Sequence, residues 1–407
     1  MRKAGIFFVL IAAAGWVSCG GGGSSTPQRR QSFLAKRAFL TNSSTSNSAG
    51  VVSILDAAKD LFGLNAMTVA PGTNVIATTI PGKVTITASK TTAQTAIIDN
   101  TTESVRGFVS LPSFTDSMVV TPDGRFAFAA VHNTNSIEII NMATAALCTV
   151  NTTTCKGPIT VDAPTKIVLS GDGKTLLAFS DSAASADTVF VINVAAATSS
   201  TAVGPAVPTL VPGFDHAVNA VFASDNTTAY VMNCGDECGG TAAGVQVLNT
   251  ATQALGATSG AVPATVGLLD GGNLFVAGTS SPGTTDGGQV TKLNPTTLAV
   301  VKFAPIPPGV HDTMAAQTGK VFVGSRNCID PGNQGCLAIW DGSGSTATIP
   351  GSVTDGDVTG MQAISNRSVV YVIVGGELRI YDANTSALQS QQLDIIGHAE
   401  QVVQVDP

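Results

Sequence analysis

The stretch that decides the fold is SMVVTPDGRFAFAAVHNTNSIEIINM, residues 117–142. Apolar and β-branched residues at 117–121 predict one strand, and those at 125–131 predict a second. The Pro-Asp-Gly at 122–124 predicts a tight turn, because proline presets φ, aspartate can bond its own backbone and glycine takes a positive φ. After a short polar loop, residues 136–141 predict a third strand. The stretch therefore predicts three strands joined by short connections.

The third strand of this unit recurs along the whole chain and ends each time in Asp or Asn. The eight copies are VVSILD (51–56), TAIIDN (95–100), SIEIIN (136–141), TVFVIN (188–193), GVQVLN (244–249), QVTKLN (289–294), CLAIWD (336–341) and LRIYD (378–382). Successive copies are about 41 to 56 residues apart, which is the length of a four-stranded propeller blade. The count favours eight blades, with seven as the alternative because residues 80–94 resemble a divergent or inserted piece.

Two other architectures fit the sequence less well. A parallel α/β sheet needs long, usually helical crossovers, and the connections here are rich in Thr, Asn, Gly and Pro without helical periodicity. A β-sandwich should alternate apolar and polar residues along its strands, whereas residues 126–130 read Phe-Ala-Phe-Ala-Ala. Strands that are apolar on both faces suit blades stacked around a ring. The sequence therefore predicts an all-β propeller of four-stranded antiparallel blades.

The two ends of the chain predict how the ring closes. The chain stops at QVVQVDP (401–407), which resembles a first strand up to its turn, and the N-terminal repeat begins with a second strand at RAFLTN (37–42). The C-terminal strand is therefore expected to join the N-terminal blade, which removes the open edge of the sheet.

Composition excludes some classes of function. Only 12% of residues are charged, the net charge is −7 and the pI is near 5.0. The sequence contains no basic run and no aromatic-basic stripe, so nucleic-acid binding is not expected. It also contains no G-x-S-x-G, H-E-x-x-H or Cys-x-x-Cys-His motif, so the motifs predict no catalytic residues, no metal and no cofactor.

The N-terminus has the features of an export signal. Arg2 and Lys3 precede an apolar segment at 6–14 that is short for a membrane span, and Gly-Trp-Val-Ser then leads to Cys19. This arrangement resembles a bacterial lipoprotein signal, which implies a signal peptide at 1–18, lipidation of Cys19 and a Gly/Ser-rich tether at 19–35. The alternative is an ordinary secretory signal with an incidental cysteine.

The remaining six cysteines form three local couples. They are Cys148 with Cys155, Cys234 with Cys238, and Cys328 with Cys336. An oxidising compartment, which export supplies, favours disulfides within each couple. The competing hypothesis is a zinc site, but the sequence offers no completing set of ligands beside these couples.

Second strands ending in residues 230–233 (Tyr-Val-Met-Asn), turns such as TPDGRFAFAA and third strands ending in Ile-Asp or Ile-Asn resemble the YVTN β-propeller repeat family. The resemblance covers residues 36–407 and implies a single propeller domain there. It implies an exported protein whose fold is related to lactonase-like propellers. That relation provides an enzymatic alternative, a lactonase-like or metal-dependent hydrolase.

Histidines and aspartates cluster at the predicted top face of the ring, where first strands begin and where second strands pass to third strands. The predicted top-face binding residues are His132, His216, His311, His398, Asp116, Asp215 and Asp312. Elaborated loops on a rigid scaffold commonly carry binding. The alternative is that these residues only form capping hydrogen bonds with backbone groups of the loops. Histidines in non-adjacent blades are also expected to lie too far apart to share one ion.

The sequence thus favours a non-enzymatic, exported propeller, held to the membrane by a lipid and presenting its top face to a protein, peptide or small molecule. The predicted location is the outer membrane or the cell surface, because Gly20 is not the aspartate that retains many lipoproteins in the inner membrane. A structural surface-layer component is the third hypothesis.

Overall fold

Short antiparallel strands follow one another along the chain, as the recurring turn chemistry predicts. The computed structural model describes residues 31–43, 49–79, 82–280, 287–328, 335–350, 356–389, 393, 395 and 397–407. A compact unit spans Ser32–Pro407. The predicted signal peptide and Cys19 lie outside the described residues, and no helix within the described part is long and apolar enough to cross a membrane.

The strands form eight antiparallel sheets, the blades, which we number 1 to 8 in chain order. The inner strands of blades 1 to 8 are His398–Gln404, Thr73–Thr78, Ser117–Val120, Pro164–Leu169, Ala217–Phe222, Val266–Asp270, Val310–Gln317 and Val358–Ala363. The second strands are Arg37–Ser43, Val84–Ser89, Phe126–Val131, Thr175–Ser180, Thr228–Asn233, Asn273–Thr279, Lys320–Arg326 and Val369–Val374. The third strands are Gly50–Asp56, Gln94–Asp99, Ser136–Asn141, Thr188–Asn193, Gly244–Asn249, Gly288–Leu293, Leu337–Trp340 and Glu377–Asp382.

The outer position of each blade is the most variable. Five blades carry one outer strand: Leu61–Val69, Ser104–Ser110, Thr209–Pro212, Ala254–Thr258 and Val300–Pro305. Blade 3 has two short segments there, Ala146–Leu147 and Ile159–Thr160. In the described parts of blades 7 and 8, isolated bridges such as Ile339 with Thr348 take this place. Helix is confined to Val194–Ala197 and the 3-10 turns His132–Thr134 and Gly235–Cys238 in the described chain.

The predicted blade count is confirmed at eight, and all eight third-strand copies occupy the third position of a blade. The interpretation of residues 80–94 as an inserted piece is wrong. Val84–Ser89 is an ordinary second strand that pairs with Thr73–Thr78 on one side and Gln94–Asp99 on the other. The inner strand of this blade, Thr73–Thr78, was not predicted from the sequence.

Ring closure is confirmed. The C-terminal strand His398–Gln404 is the inner strand of blade 1 and pairs antiparallel with Arg37–Ser43. The Arg37 side chain adds hydrogen bonds of 2.7 and 2.8 Å to the Asp406 carboxylate. The two ends of the chain therefore share one sheet, in which Arg37–Ser43 is paired on both sides.

The hydrophobic core is divided among the blade interfaces. The described residues form eight buried clusters, one between each pair of neighbouring blades. Phe126, Phe128 and Ala130 pack towards blade 4, while Ala127 and Ala129 pack towards blade 2. Both faces of the strand are thus buried, and alanine fits the narrower side, which is why the sequence shows no polar alternation.

A β-bulge recurs near the start of the inner strands. Six blades show a register shift there, which leaves one extra residue between paired neighbours. The extra residues are Glu400, Asn74, Thr165, Val218, Asp312 and Thr359. We call them the bulge residues. Bulges redirect side chains next to sites of function, and here they surround one end of the channel.

Candidate functional site

A polar cavity of about 290 Å³ lies at the top of the central channel, where the inner strands begin. We call it the upper cavity. Five blades contribute to it, and its lining residues are Asp116, Lys166, Asp312, Thr313, Arg326, Thr359, Gly360, Met361, Gln362, Gln401, Val402 and Val403. Two predicted site residues, Asp116 and Asp312, are therefore brought together here. No histidine is among the lining residues in the described chain.

Charged groups in the upper cavity are held away from water. The Arg326 guanidinium donates a hydrogen bond to Asp312 Oδ2. Burial raises the pKa of Asp312, and the charge of Arg326 offsets part of that effect. Lys166 is half-buried by surface area but is surrounded by protein on nearly all sides, and this desolvation lowers its pKa. Asp312 favours the charged form of Lys166, yet no described residue forms an ion pair with its ammonium group.

Several polar atoms in this region are buried without a protein partner. Asp312 Oδ1 and Thr359 Oγ1 have no hydrogen-bond partner among the described residues, and both belong to bulge residues that line the upper cavity. Asn74 Oδ1, at the same bulge in blade 2, is also unpartnered. A buried polar group without a partner costs roughly 1–3 kcal/mol. Such groups gathered in one cavity are typical of a binding site.

Two of the predicted histidines lie elsewhere on the top side. His311 is 2% exposed, and its Nε2 donates to the Pro307 carbonyl at 3.0 Å while its Nδ1 lies 3.4 Å from Thr279 Oγ1. Burial lowers the pKa of His311 to about 4. His132 is exposed, and its Nε2 lies 2.9 Å from Asp181 Oδ1. His311 is thus a buried neutral group, whereas His132 belongs to a surface pair.

The other two histidines each meet a carboxylate. His216 Nδ1 lies 3.5 Å from Asp187 Oδ1 and 3.7 Å from Asp215 Oδ1. His398 Nδ1 lies 3.4 Å from Glu400 Oε1. The four predicted histidines thus do not share one pocket, and binding by them stays a prediction. The cluster of Asp187, Asp215 and His216 is the one described group whose ligand atoms all lie within 4.8 Å of one another.

The three predicted disulfides are confirmed. The Cα atoms of the bonded cysteines are 5.4 Å apart for Cys148–Cys155 and 5.6 Å apart for the other two pairs. Cys234–Cys238 closes the loop between the second and third strands of blade 5, and Cys328–Cys336 closes the corresponding loop of blade 7. Cys148–Cys155 closes the loop that interrupts the outer position of blade 3. Two of the pairs therefore stiffen top-face loops.

Glu237 is a half-buried titratable group of the top face, within the loop that Cys234–Cys238 closes. Its Oε2 accepts a hydrogen bond from the Thr279 backbone at 2.8 Å. Burial raises the pKa of Glu237 to about 7, against the opposing effect of that hydrogen bond. This environment of Glu237 could not be predicted from the sequence, because nothing in Cys-Gly-Asp-Glu-Cys shows which of its acids is shielded from water.

Sequence reasoning missed Lys166, Arg326, Gln362 and Gln401 in the upper cavity. The signal was present in part: Lys166, Gln362 and Gln401 are long polar side chains within inner strands, whereas Arg326 ends a second strand. Only the channel gives such a side chain room on the inner edge of a blade. The β-bulge determines which residue faces the channel. A bulge cannot be recognised from the pattern of apolar and polar residues.

Solved structures similar to this chain are β-propellers. The dihydro-heme d1 dehydrogenase NirN in complex with DHE matches 93% of this chain and 77% of its own, with 12% identity and a TM-score of 0.68. The Dos1 propeller matches 81% of this chain and 86% of its own, with 10% identity and a TM-score of 0.63. No protein-family model and no curated protein sequence matches the chain. At these identities, the likeness shows the propeller fold and carries no function.

Proposed function

We propose that this protein is an exported, lipid-anchored β-propeller of the YVTN type. It binds a small polar ligand with an anionic group in the upper cavity and does not transform it. The observation that carries this proposal is the desolvated Lys166 beside unpartnered bulge atoms in one cavity. The volume of about 290 Å³ suits a small molecule better than a folded partner.

The chemistry of the ligand follows from the groups it would meet. The Lys166 ammonium lacks an ion-pair partner within the described chain, so an anionic group placed there would recover its lost hydration. Asp312 Oδ1 accepts hydrogen bonds only, and the Thr359 hydroxyl can donate or accept. A ligand with a carboxylate at one end and hydroxyl or ammonium donors at the other satisfies all three. Amino acids and sugar acids are of this class.

The binding proposal is tested by calorimetry on the purified full chain, with a panel of amino acids and sugar acids as probes. Lys166→Met, which keeps the length of the side chain and removes its charge, should abolish measurable binding of any acid that the wild type binds. Lys302→Met is the matched control, because Lys302 is exposed on the outer strand of blade 6. Equal binding by the wild type and Lys166→Met would place the site elsewhere.

The proposed address rests on the export-type N-terminus and agrees with three disulfides, which belong to oxidising compartments. Labelling cells with radioactive palmitate tests it directly. The wild type should carry the label and sediment with membranes, whereas Cys19→Ser should lose the label and appear in the soluble exported fraction. A wild type that carries no lipid would leave only the secretory alternative.

A hydrolase is the second candidate, and one observation favours it. The lowered pKa of Lys166 makes it a possible proton acceptor beside Asp312, an arrangement that recurs at catalytic sites. Incubating the full chain with a series of small lactones separates the two functions. Turnover that Lys166→Met abolishes and Lys302→Met keeps would replace binding with catalysis at the same cavity.

A further inference from the structure

We propose that Asp187, Asp215 and His216 form a binding site for a divalent transition-metal ion, with Zn²⁺ as the best match. The site lies at the top of the junction between blades 4 and 5. Asp187 directly precedes the third strand of blade 4, and Asp215 and His216 directly precede the inner strand of blade 5. None of the three lines the upper cavity, so this site is separate from the proposed ligand site.

Distances between the three side chains favour a shared ion over direct hydrogen bonds. His216 Nδ1 lies 3.5 Å from Asp187 Oδ1 and 3.7 Å from Asp215 Oδ1. A good charge-assisted N–H···O bond is about 2.7–2.9 Å long. Two ligands of a tetrahedral zinc ion, each about 2.0–2.1 Å from the metal, are roughly 3.3–3.4 Å apart. The observed separations are therefore too long for hydrogen bonds and close to those of ligands around one ion.

The imidazole nitrogen of His216 that faces the two carboxylates, Nδ1, is buried. It has no hydrogen-bond partner within the described residues. The residue adopts a left-handed backbone with φ +51°, an uncommon conformation in which histidine, like asparagine and aspartate, occurs more often than other side chains. This backbone directs the unpartnered nitrogen at two carboxylates.

Both carboxylates are fixed before any ion binds. Asp187 Oδ1 accepts the His216 backbone N–H at 3.0 Å. The Asp215 carboxylate accepts from the backbone of Thr241 at 3.0 and 3.1 Å, from the Thr241 hydroxyl at 2.7 Å and from the Ala242 backbone at 2.9 Å. These bonds leave further lone pairs on each carboxylate for a metal. They also hold the carboxylates in place, as outer-shell bonds do around metal ligands.

The loop between the second and third strands of blade 5 packs closely against Asp215 and His216. A Cβ atom on Gly240 would lie 1.8 Å from Asp215 Oδ1 and 2.9 Å from His216 Nδ1, so only glycine fits there. This glycine belongs to the blade 5 loop that the Cys234–Cys238 disulfide closes. The predicted disulfide therefore stabilises the wall of the site, which gives the loop a role beyond joining two strands.

The ligand set selects among metals. One imidazole and two carboxylates suit Zn²⁺ and its first-row neighbours, whereas Ca²⁺ and Mg²⁺ prefer all-oxygen sites with more ligands. Zinc takes four ligands, and three come from this chain, so water would complete the set on the open side. The Asp187 side chain is 64% exposed, so the side of the site that is open to water lies next to Asp187.

Calorimetry with ZnCl₂ alone, on the full chain stripped with a chelator, tests the site. The wild type should bind one Zn²⁺, and the Co²⁺ form should show the absorption bands of four-coordinate cobalt. His216→Asn preserves the left-handed backbone, because asparagine tolerates it, and Asp187→Asn changes an exposed side chain. Each should weaken Zn²⁺ binding by at least about tenfold, the scale set by the loss of groups around a metal.

His132→Asn is the matched control, because His132 also faces one aspartate, Asp181, on the same side of the ring. It should bind Zn²⁺ as the wild type does, and so should Lys166→Met, whose failure in ligand binding would be a separate result. If near-UV circular dichroism shows that His216→Asn does not fold, the Zn²⁺ affinity of Asp187→Asn alone tests the site. A wild type that binds no Zn²⁺, or binding that survives both substitutions, would overturn the proposal.

Discussion

The two ends of the central channel are built from the same inner strands and differ sharply in chemistry. The upper cavity is lined by charged and amide side chains, including Lys166, Asp312 and Gln401. A lower cavity of about 490 Å³ is lined mainly by apolar residues such as Met118, Ile167, Leu169 and Val403. Lys166 and Ile167 are neighbours on one strand, yet they line opposite ends.

The difference follows from how each inner strand begins and ends. At the top, bulges such as those at Asp312 and Thr359 break the pairing and leave buried polar atoms without partners. At the bottom, the hairpin aspartates satisfy their own turns: Asp123 accepts from the Arg125 backbone at 3.0 Å and Asp172 from the Lys174 backbone at 3.1 Å. The bulge residues at the top therefore hold hydrogen-bonding capacity that these hairpin aspartates do not, although Asn100 Oδ1, after the third strand of blade 2, is also unpartnered at the bottom. Function is expected at the end where polar groups remain unsatisfied.

The largest expected effect comes from removing the strand that serves both ends. Deletion of residues 399–407 removes Gln401 from the upper cavity and Val403 from both cavities, and exposes the edge of Arg37–Ser43. It also removes the buried Ala399, Val402 and Val405. We expect loss of cooperative thermal unfolding and aggregation, because the ring can no longer close.

Removal of the exposed Pro407 alone is the control for this deletion and should leave the unfolding transition unchanged. Differential scanning calorimetry compares the two truncations with the full chain. If the chain that lacks residues 399–407 melts as the full chain does, the ring closes without its C-terminal strand. Another segment would then have to line the channel at blade 1.

Neighbouring substitutions on one inner strand should have opposite effects on stability. Ile167 is buried between blades 3 and 4, so Ile167→Ala should destabilise the fold by about 2–4 kcal/mol. Lys166→Met should instead raise the free energy of unfolding by about 1–2 kcal/mol, because it removes a desolvated charge. Denaturant titration measures both. A destabilised Lys166→Met would mean that the ammonium is well solvated or paired in the folded state.

The gain from Lys166→Met should also depend on pH. Burial lowers the pKa of Lys166 in the folded state, so the charged form is penalised there relative to the unfolded chain. That penalty is complete below the folded pKa and disappears as pH rises towards the ordinary lysine pKa of about 10.4. The stability difference between Lys166→Met and wild type should therefore shrink as pH rises through the folded pKa of Lys166 and vanish near pH 10.5. A difference that stays constant to high pH would have its origin in packing.

The sequence predicted the fold far better than the site. Turn residues, third strands ending in Asp or Asn, and strands apolar on both faces were enough for eight blades and a closed ring, because these features act through local backbone preference and burial. Of the predicted site residues, Asp116 and Asp312 line the upper cavity, whereas His311 is buried away from it. The position of a residue within the repeat predicts on which face of the ring it lies. The bulge and the neighbouring blade determine where its side chain points and how far it is buried.

Two titratable groups next to Thr279, the buried His311 and the half-buried Glu237, should have opposing effects on pH-dependent stability. Burial lowers the pKa of His311 to about 4, so the unfolded chain takes up a proton first and stability falls as pH drops from about 6.5 to 4. Burial raises the pKa of Glu237 to about 7, so stability falls as pH rises from about 4.5 to 7. The two slopes should nearly cancel in the wild type between pH 4.5 and 6.5.

Single substitutions should reveal each slope. Glu237→Gln should lose stability on acidification below about pH 6.5, and His311→Gln should gain it over the same range, as followed by melting temperature. Asp236→Asn, an exposed neighbour in the same loop, should behave as the wild type. Parallel pH profiles for Glu237→Gln and wild type would show that the Glu237 carboxyl titrates in the folded protein as it does in water.

The smallest expected effect on stability, and the sharpest test of which end binds, comes from one polar group at each end. Thr359→Val removes the buried, unpartnered Oγ1 with little change of shape, so stability should stay within about 0.5 kcal/mol or rise slightly. Asp172→Ala removes the hydrogen bonds of one exposed bottom turn and should cost about 0.5 kcal/mol. The two variants should therefore differ in ligand affinity, not in melting temperature. Affinity for the acid identified with the wild type should fall several-fold in Thr359→Val, because a polar partner in the upper cavity is lost, and should be unchanged in Asp172→Ala. The reverse pattern would place recognition at the bottom turns, and the unpaired atoms of the bulges would then be a feature of ring geometry alone.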